Sequence, residues 1–309
     1  MWMIAAKLSF VPETRMAAAV VAASLWTSPD AVRDLDQPAL ESPARVREWA
    51  AAQGPAERRE LWGRLETQVL LGEQVLVQEV AGGWARVVVP AQPSRKDPRG
   101  YPGWLPLSQL DTPASETGTS VVVTVPTTTI HESPDGAITM VDVSFATILP
   151  LVRSAAGWTE VNLPGGRTGW LSSADVETVA AQPSLPTAEQ LVTAGRQFLG
   201  LMYLAGGTHG LSLDCSALTH LIYRRYGVTV PRDAADKVGI GEEVEIDDLQ
   251  PGDLMFFAKP DTGFVYHCGI CTGAPSMLHV SQTDWTCLDA PLTEIRSEHL
   301  IVGRRLRAV

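Results

Sequence analysis

Cys215 stands in the run from Tyr203 to Leu218, Tyr-Leu-Ala-Gly-Gly-Thr-His-Gly-Leu-Ser-Leu-Asp-Cys-Ser-Ala-Leu. A glycine-broken loop precedes it, and the apolar helical pattern Leu218, Leu221, Ile222, Tyr226 follows. The pattern puts the thiol at a helix N-terminus, where unpaired N–H groups and the positive end of the helix dipole favour thiolate over thiol. By itself this describes an ordinary capped core cysteine. Two later segments, 264–271 and 277–281, read as short buried strands, each with one histidine, His267 and His279. The residues between them, Thr272-Gly-Ala-Pro-Ser276, read as a turn. A nucleophilic cysteine needs a base, and the base needs an orienting partner. Antiparallel pairing of the two strands beside the Cys215 helix supplies both.

The motifs Asp214-Cys215-Ser216, Pro231-Arg-Asp-Ala-Ala235, Pro251-Gly-Asp-Leu-Met-Phe-Phe257, His267-Cys-Gly-Ile270 and Leu278-His279 resemble, in order and spacing, the NlpC family of papain-like cysteine peptidases. The resemblance covers residues 186–309. The chain departs from the family pattern at Ala217 (usually Gly), Lys237 (usually Gln) and Cys268 (commonly Val), and loses no catalytic group by doing so. The resemblance implies amide hydrolysis through a thioester. Cys215 attacks the carbonyl, His267 exchanges the proton and His279 orients the imidazole. Tyr203 matches a family tyrosine near the oxyanion, so its hydroxyl is a candidate donor beside the Cys215 N–H. Loop packing is the alternative role for this aromatic.

The chain has 309 residues, 45% of them apolar, and a formal charge of −11. That size allows two or three domains. The acidic balance argues against nucleic acid or an anionic polymer as the main partner. No membrane span is expected. Of four cysteines, one is assigned to catalysis and an odd set remains, which points to a reducing, cytoplasmic compartment rather than a secreted or wall-associated one. Cys268 and Cys271 form a C-x-x-C, but in a strand these residues face opposite ways and no second pair follows, so no metal or other cofactor is expected. His131 is placed in a turn, His209 in a glycine-rich loop, His220 off the Cys215 face of its helix and His299 near the terminus, all four at the surface. The chain is expected to be a monomer.

Upstream lies a repeat. Gly83-Trp84 and Gly103-Trp104 recur as Gly157-Trp158 and Gly169-Trp170, and Ser-Pro-Asp at 28–30 recurs at 133–135. Short β-rich runs between Gly, Pro and Asp turns suggest two small antiparallel barrels. The first copy carries 31 additional residues between Asp30 and Trp84, mostly helical sequence over about 42–65, and eight more between Ala91 and Tyr101. Residues 16–26 are apolar after Lys7 and Arg15, as in a secretory leader. They occupy the place of Val121–Ile130 in the second copy, however, so the reading adopted is a strand. A linker over 179–186 and a capping box, Thr187-Ala-Glu-Gln190, open a helix expected to run to about Leu199.

Both copies resemble bacterial SH3-like domains. The fold expected is therefore multidomain, with two all-β SH3-like barrels over 1–113 and 114–181 and an α+β papain-like catalytic domain over 186–309. This architecture resembles, within the family, γ-D-glutamyl-L-diamino acid endopeptidases acting on cell-wall muropeptides with a free N-terminal L-Ala. The resemblance implies that Glu73, Tyr101 and Asp233 recognise the ammonium, and that Asp214 and Ser216 border the cleft and contact the peptide. A secreted hydrolase of intact wall and a catalytically idle wall-binding module are the competing readings.

Overall fold

The computed structural model describes residues 14–180 and 184–306. The question of a leader over the first residues, and part of the 179–186 linker, lie outside the described residues.

Turn-punctuated apolar runs fold into two seven-stranded antiparallel sheets. The first has the order Leu65–Leu70, Ala22–Trp26, Tyr101–Pro106, Trp84–Val89, Gln74–Ala81, Thr14–Ala18, Leu110–Asp111. The second has the order Ile138–Ser144, Thr127–His131, Arg167–Ser172, Trp158–Leu163, Ile148–Ala155, Ser120–Val123, Val176–Thr178. Strand for strand the two orders coincide, so the sequence repeat is also a topological one. The single strand expected over 16–26 is two, Thr14–Ala18 and Ala22–Trp26. The reason is that its halves serve different neighbours: the first pairs with Gln74–Ala81 and the second with Leu65–Leu70.

The inserted helices are three and begin before residue 42: Gln37–Leu40, Val46–Ala51 and Pro55–Arg59. Leu65, read as helical, instead opens a strand. Prolines stand in the first turn of the first and third helices, where the missing N–H costs nothing. Trp49 turns inward, edge-on to Trp26 at 6.5 Å, and its indole N–H donates to Asp36 at 2.9 Å. The third helix aims Arg58 at the C-terminal part of the chain, donating to the carbonyls of Met202 (3.2 Å) and Tyr203 (2.9 Å).

There, helices Ala188–Arg196 and Cys215–Arg225 pack on a six-stranded antiparallel sheet. Its order is Glu242–Val244, Leu300–Arg305, Leu254–Ala258, Val265–Gly273, Ser276–Ser281, Thr286–Pro291. The Thr187–Gln190 capping box forms, and the helix it opens stops at Arg196, short of Leu199. Residues 215–223 are all buried, so this second helix is a core element wrapped on every side. One core runs through all three parts, from Trp26 and Leu61 through Phe145 and Leu163 to Leu218, Ile222 and Leu278. Cys268 belongs to this core and Cys271 to a separate cluster with Met255 and Phe257, on the other face of the sheet. Among the described residues no helix is long and apolar enough to cross a membrane.

Candidate active site

Cys215 is the first residue of its helix, and Asp214 is the N-cap, accepting from Ala217 N–H at 2.7 Å and Gly206 N–H at 3.2 Å. The thiol, on a residue 7% exposed, opens on a cleft of about 420 Å³ lined by Tyr203, Ser216, Asp233, Phe264 and Tyr266. The helix end favours a thiolate, but the surroundings outweigh it. A hydrogen bond to Cys268 and burial push the Cys215 thiol up, against a downward pull from His267. Burial likewise pushes His267 down, against the pull of Cys215. Burial thus opposes charge on both partners, while each draws the other toward the thiolate–imidazolium pair.

Strand register brings the histidines together. With Ile270 opposite Leu278, Gly269 comes opposite His279, and His267 and His279 are diagonal neighbours on one face. Gly269 makes this possible, since a Cβ there would meet His279 Cβ at 3.0 Å and Met277 Sδ at 2.9 Å. His267 Nε2 lies 2.9 Å from His279 Nδ1. Among the described residues His267 Nδ1 lacks a partner of good hydrogen-bond geometry, and Cys215 is the side chain it interacts with. To accept the thiol proton at Nδ1, His267 must carry its own on Nε2 and donate it to His279 Nδ1. Burial and the nearby Arg296 hold His279 neutral, down to about 3.

Tyr203 is buried against Trp285, edge-on at 5.7 Å. Burial, with Cys215 and Asp214 nearby, pushes its phenol up, so the hydroxyl keeps its proton. Beneath the helix, the fully buried Lys237 donates to Ser216 O at 2.7 Å and Thr219 Oγ1 at 2.6 Å. The Cys268 thiol faces Cys215 O at 3.7 Å. These two departures from the family pattern thus sit together behind the thiol.

Asp214 and Ser216 border the cleft, but their polar atoms are already engaged. Arg232, fully buried, holds both Asp214 oxygens at 3.0 and 2.8 Å and donates to Ser216 Oγ at 2.9 Å. Its remaining donors reach Thr67 and Thr208 at 3.0 Å and Gly207 O at 3.2 Å. Sequence reasoning had Arg232 within a motif and gave it no role. Its signal was an arginine between a proline and an acidic residue, with Asp214 needing a counter-charge.

Tyr101 and Asp233 do come together, the phenol donating to Asp233 Oδ2 at 2.8 Å. Glu73 does not join them. It follows the positive-φ Gly72, and its carboxylate accepts from Leu70 N–H and Gln92 at 3.1 Å and pairs with Arg224 at 3.3 Å. It lines a different cavity, of about 390 Å³, with His220 and Arg224. The carboxylate beside Tyr101 is Glu66, 3.2 Å from the phenol oxygen, and Lys96 donates to both. Three successive polar residues, Glu66-Thr67-Gln68, in a largely buried strand were the available signal.

Of the remaining histidines, His209 and His220 are buried, contrary to expectation. His209 Nε2 donates to Asp142 O at 2.8 Å while Nδ1 accepts from Leu211 N–H at 3.1 Å, which joins the Cys215 loop to the second sheet. His220 Nδ1 donates to Val230 O at 3.0 Å. His131 ends a strand rather than lying in a turn, and His299 is half-buried with Nδ1 2.8 Å from the Tyr266 hydroxyl.

A cysteine–histidine–histidine relay at a helix start, in a cleft also lined by Asp233, can carry out nucleophilic acyl chemistry. Comparison with known proteins agrees. Residues 200–305 match the NlpC/P60 family and residues 123–178 the YKFC SH3b2 domain. A γ-D-glutamyl-L-lysine dipeptidyl-peptidase of Bacillus subtilis (strain 168) is 38% identical over 92% of this chain and 96% of its own. One of Bacillus cereus is 37% identical over 88% and 85%. The crystal structure of an NlpC/P60 family protein from Bacillus cereus superposes with a TM-score of 0.86 at 33% identity, covering 94% of this chain and 99% of the other. Its catalytic motifs, its order of parts and relatives matched over nearly their whole length make this chain a member of the NlpC/P60 family.

Proposed function

We propose that the protein is a cysteine endopeptidase that cuts the γ-D-glutamyl-L-diamino acid bond of cell-wall peptides carrying a free N-terminal L-Ala. The observation that carries this reading is the shared cleft: Cys215 and Asp233 both line it, and Asp233 is hydrogen-bonded to Tyr101. Cys215 attacks the γ-carbonyl as its proton passes to His267 Nδ1. The Cys215 N–H, in the unpaired first turn, and the Tyr203 hydroxyl receive the oxyanion. The same proton then leaves with the amine, and water hydrolyses the thioester.

Glu66, Tyr101 and Asp233 form the ammonium subsite in this reading, and Glu73 has a structural role at the cavity it lines. An ammonium taken from water needs a paired carboxylate and filled hydrogen bonds, and this cluster provides both. The parts are proposed to be two SH3-like barrels over 1–113 and 114–181 and a papain-like domain over 186–309, the first barrel shaping the cleft. Four cysteines without disulfides support action on wall-derived peptides in a reducing compartment.

The test is product analysis by mass spectrometry on L-Ala-γ-D-Glu-L-Lys, its diaminopimelate counterpart and intact sacculi. Release of L-Ala-γ-D-Glu from the free peptides, abolished by Cys215→Ala, is expected. Equal action on sacculi would favour the wall hydrolase instead.

A further inference from the structure

The chain carries its own cation at the cluster just described. Lys96 Nζ donates to Glu66 Oε2 and, at 2.9 Å, to the Tyr101 hydroxyl, and lies 4.6 Å from the Tyr101 ring centre. We propose that Lys96 is a tethered competitor for the ammonium subsite, which a peptide must displace in order to bind. This rests on the ammonium-subsite reading above.

Three features fit displacement rather than a fixed structural role. The loop backbone is anchored to residues 232–236 on one wall of the cleft. Arg232 N–H donates to Pro93 O at 3.0 Å, Arg95 N–H donates to Asp236 at 3.0 Å, and the Arg95 guanidinium also pairs with Asp236. Lys96 can therefore leave by side-chain rotation alone. Its side chain is 40% exposed and lines the cleft, so the way out to water is open, in contrast to the buried Arg232 and Lys237. Finally, two carboxylates, Glu66 and Asp233, surround the phenol, and burial pushes Asp233 up. Left empty, such a subsite is unfavourable; Lys96 relieves it in the free protein, and a substrate ammonium does so in the complex.

A competitor lowers apparent affinity by the fraction of time the subsite is free. Simple amines, which gain nothing elsewhere in the cleft, fail to displace Lys96. A peptide that also fills the rest of the cleft succeeds. Lys96 thus sets a threshold that excludes small ammonium compounds.

The experiment compares Lys96→Met, which keeps the apolar stem without the charge, with the full-length wild type. Calorimetry with L-Ala-γ-D-Glu is expected to show about tenfold tighter binding to the variant, and KM for the free tripeptide to fall in parallel. Ethylammonium is expected to inhibit the variant competitively at concentrations that leave the wild type active. Unchanged or weaker dipeptide binding by Lys96→Met, with the wild type still preferring the free over the N-acetylated dipeptide, overturns the competitor role and leaves the subsite reading intact. A wild type that binds both dipeptides equally defeats the subsite reading and the competitor with it.

Discussion

His267 Nε2 and His279 Nδ1 lie 2.9 Å apart, and with the proton on His267 Nε2 this one bond leaves Nδ1 of His267 available to the Cys215 thiol. His279 acts by position, so a neutral side chain with a hydrogen-bond acceptor retains part of its effect. Turnover is expected to fall about 10²–10⁴-fold in His267→Ala, where the base is lost. His279→Gln is expected to fall less and His279→Ala to lie between. Steady-state kinetics of the three variants checks this order, and a dead His279→Gln beside an active His267→Ala would reverse the roles.

Lys237 bears a cation in the core, bonded to neutral oxygens, and burial brings it down to about 8. The unfolded chain keeps this amine protonated to higher pH. Stability is therefore reduced below about 8 and recovered as pH rises through the unfolded value near 10.4. The full penalty is roughly 3 kcal/mol. Lys237→Gln, the residue the family pattern has there, is expected to raise stability at pH 7 by about 1–2 kcal/mol after loss of the charged hydrogen bonds. Urea unfolding at pH 7 and 9.5 measures this, and a variant less stable at both values contradicts it.

Acid should destabilise the fold before its carboxylates titrate. His209 is held neutral by burial, down to about 4, and burial pushes His220 well down as well. The unfolded chain binds these protons near pH 6.5, so stability present above that value is lost as pH falls toward the folded values. His209 alone contributes a loss of roughly 3 kcal/mol between pH 6.5 and 4. Denaturant midpoints across this range should fall steeply, and His209→Gln should flatten the profile. A flat wild-type profile contradicts the buried neutral state.

Much of this site was legible in the sequence because its chemistry is local. The cap at Asp214, the helix after it and two histidine-bearing strands joined by a turn each occupy a few residues, and periodicity places them. The repeat was legible through its tryptophans. Glu66 was missed because it joins Tyr101 and Lys96 only by tertiary contact, beside the interface where Thr67 meets Thr208 at 2.9 Å and Gln68 accepts from Thr208 N–H at 2.9 Å. Glu73 misled for the same reason, since a sequence does not say that Arg224, 151 positions later, already pairs with it. His209 and His220 looked exposed because glycine-rich loops and helix faces read as solvent-facing, whereas tertiary contacts with Asp142 O and Val230 O enclose them.

Arg232 is the keystone of that interface, and removing it leaves the Asp214 carboxylate without its counter-charge. Arg232→Ala is expected to cost about 3–5 kcal/mol in urea unfolding. Arg232→Lys should recover only part of this, since an ammonium cannot span both Asp214 oxygens. A loss below about 1 kcal/mol contradicts the role.

The central claim is that the cleft selects a free N-terminal ammonium through Glu66, Tyr101 and Asp233. Its most direct test is the ratio of kcat/KM for L-Ala-γ-D-Glu-L-Lys to that for the N-acetylated peptide, in the wild type and in Glu66→Gln and Asp233→Asn. The wild-type ratio is expected to exceed about 10³, because capping removes the charge that two half-buried carboxylates require, and each variant should reduce it at least tenfold. A wild-type ratio near one would contradict the account.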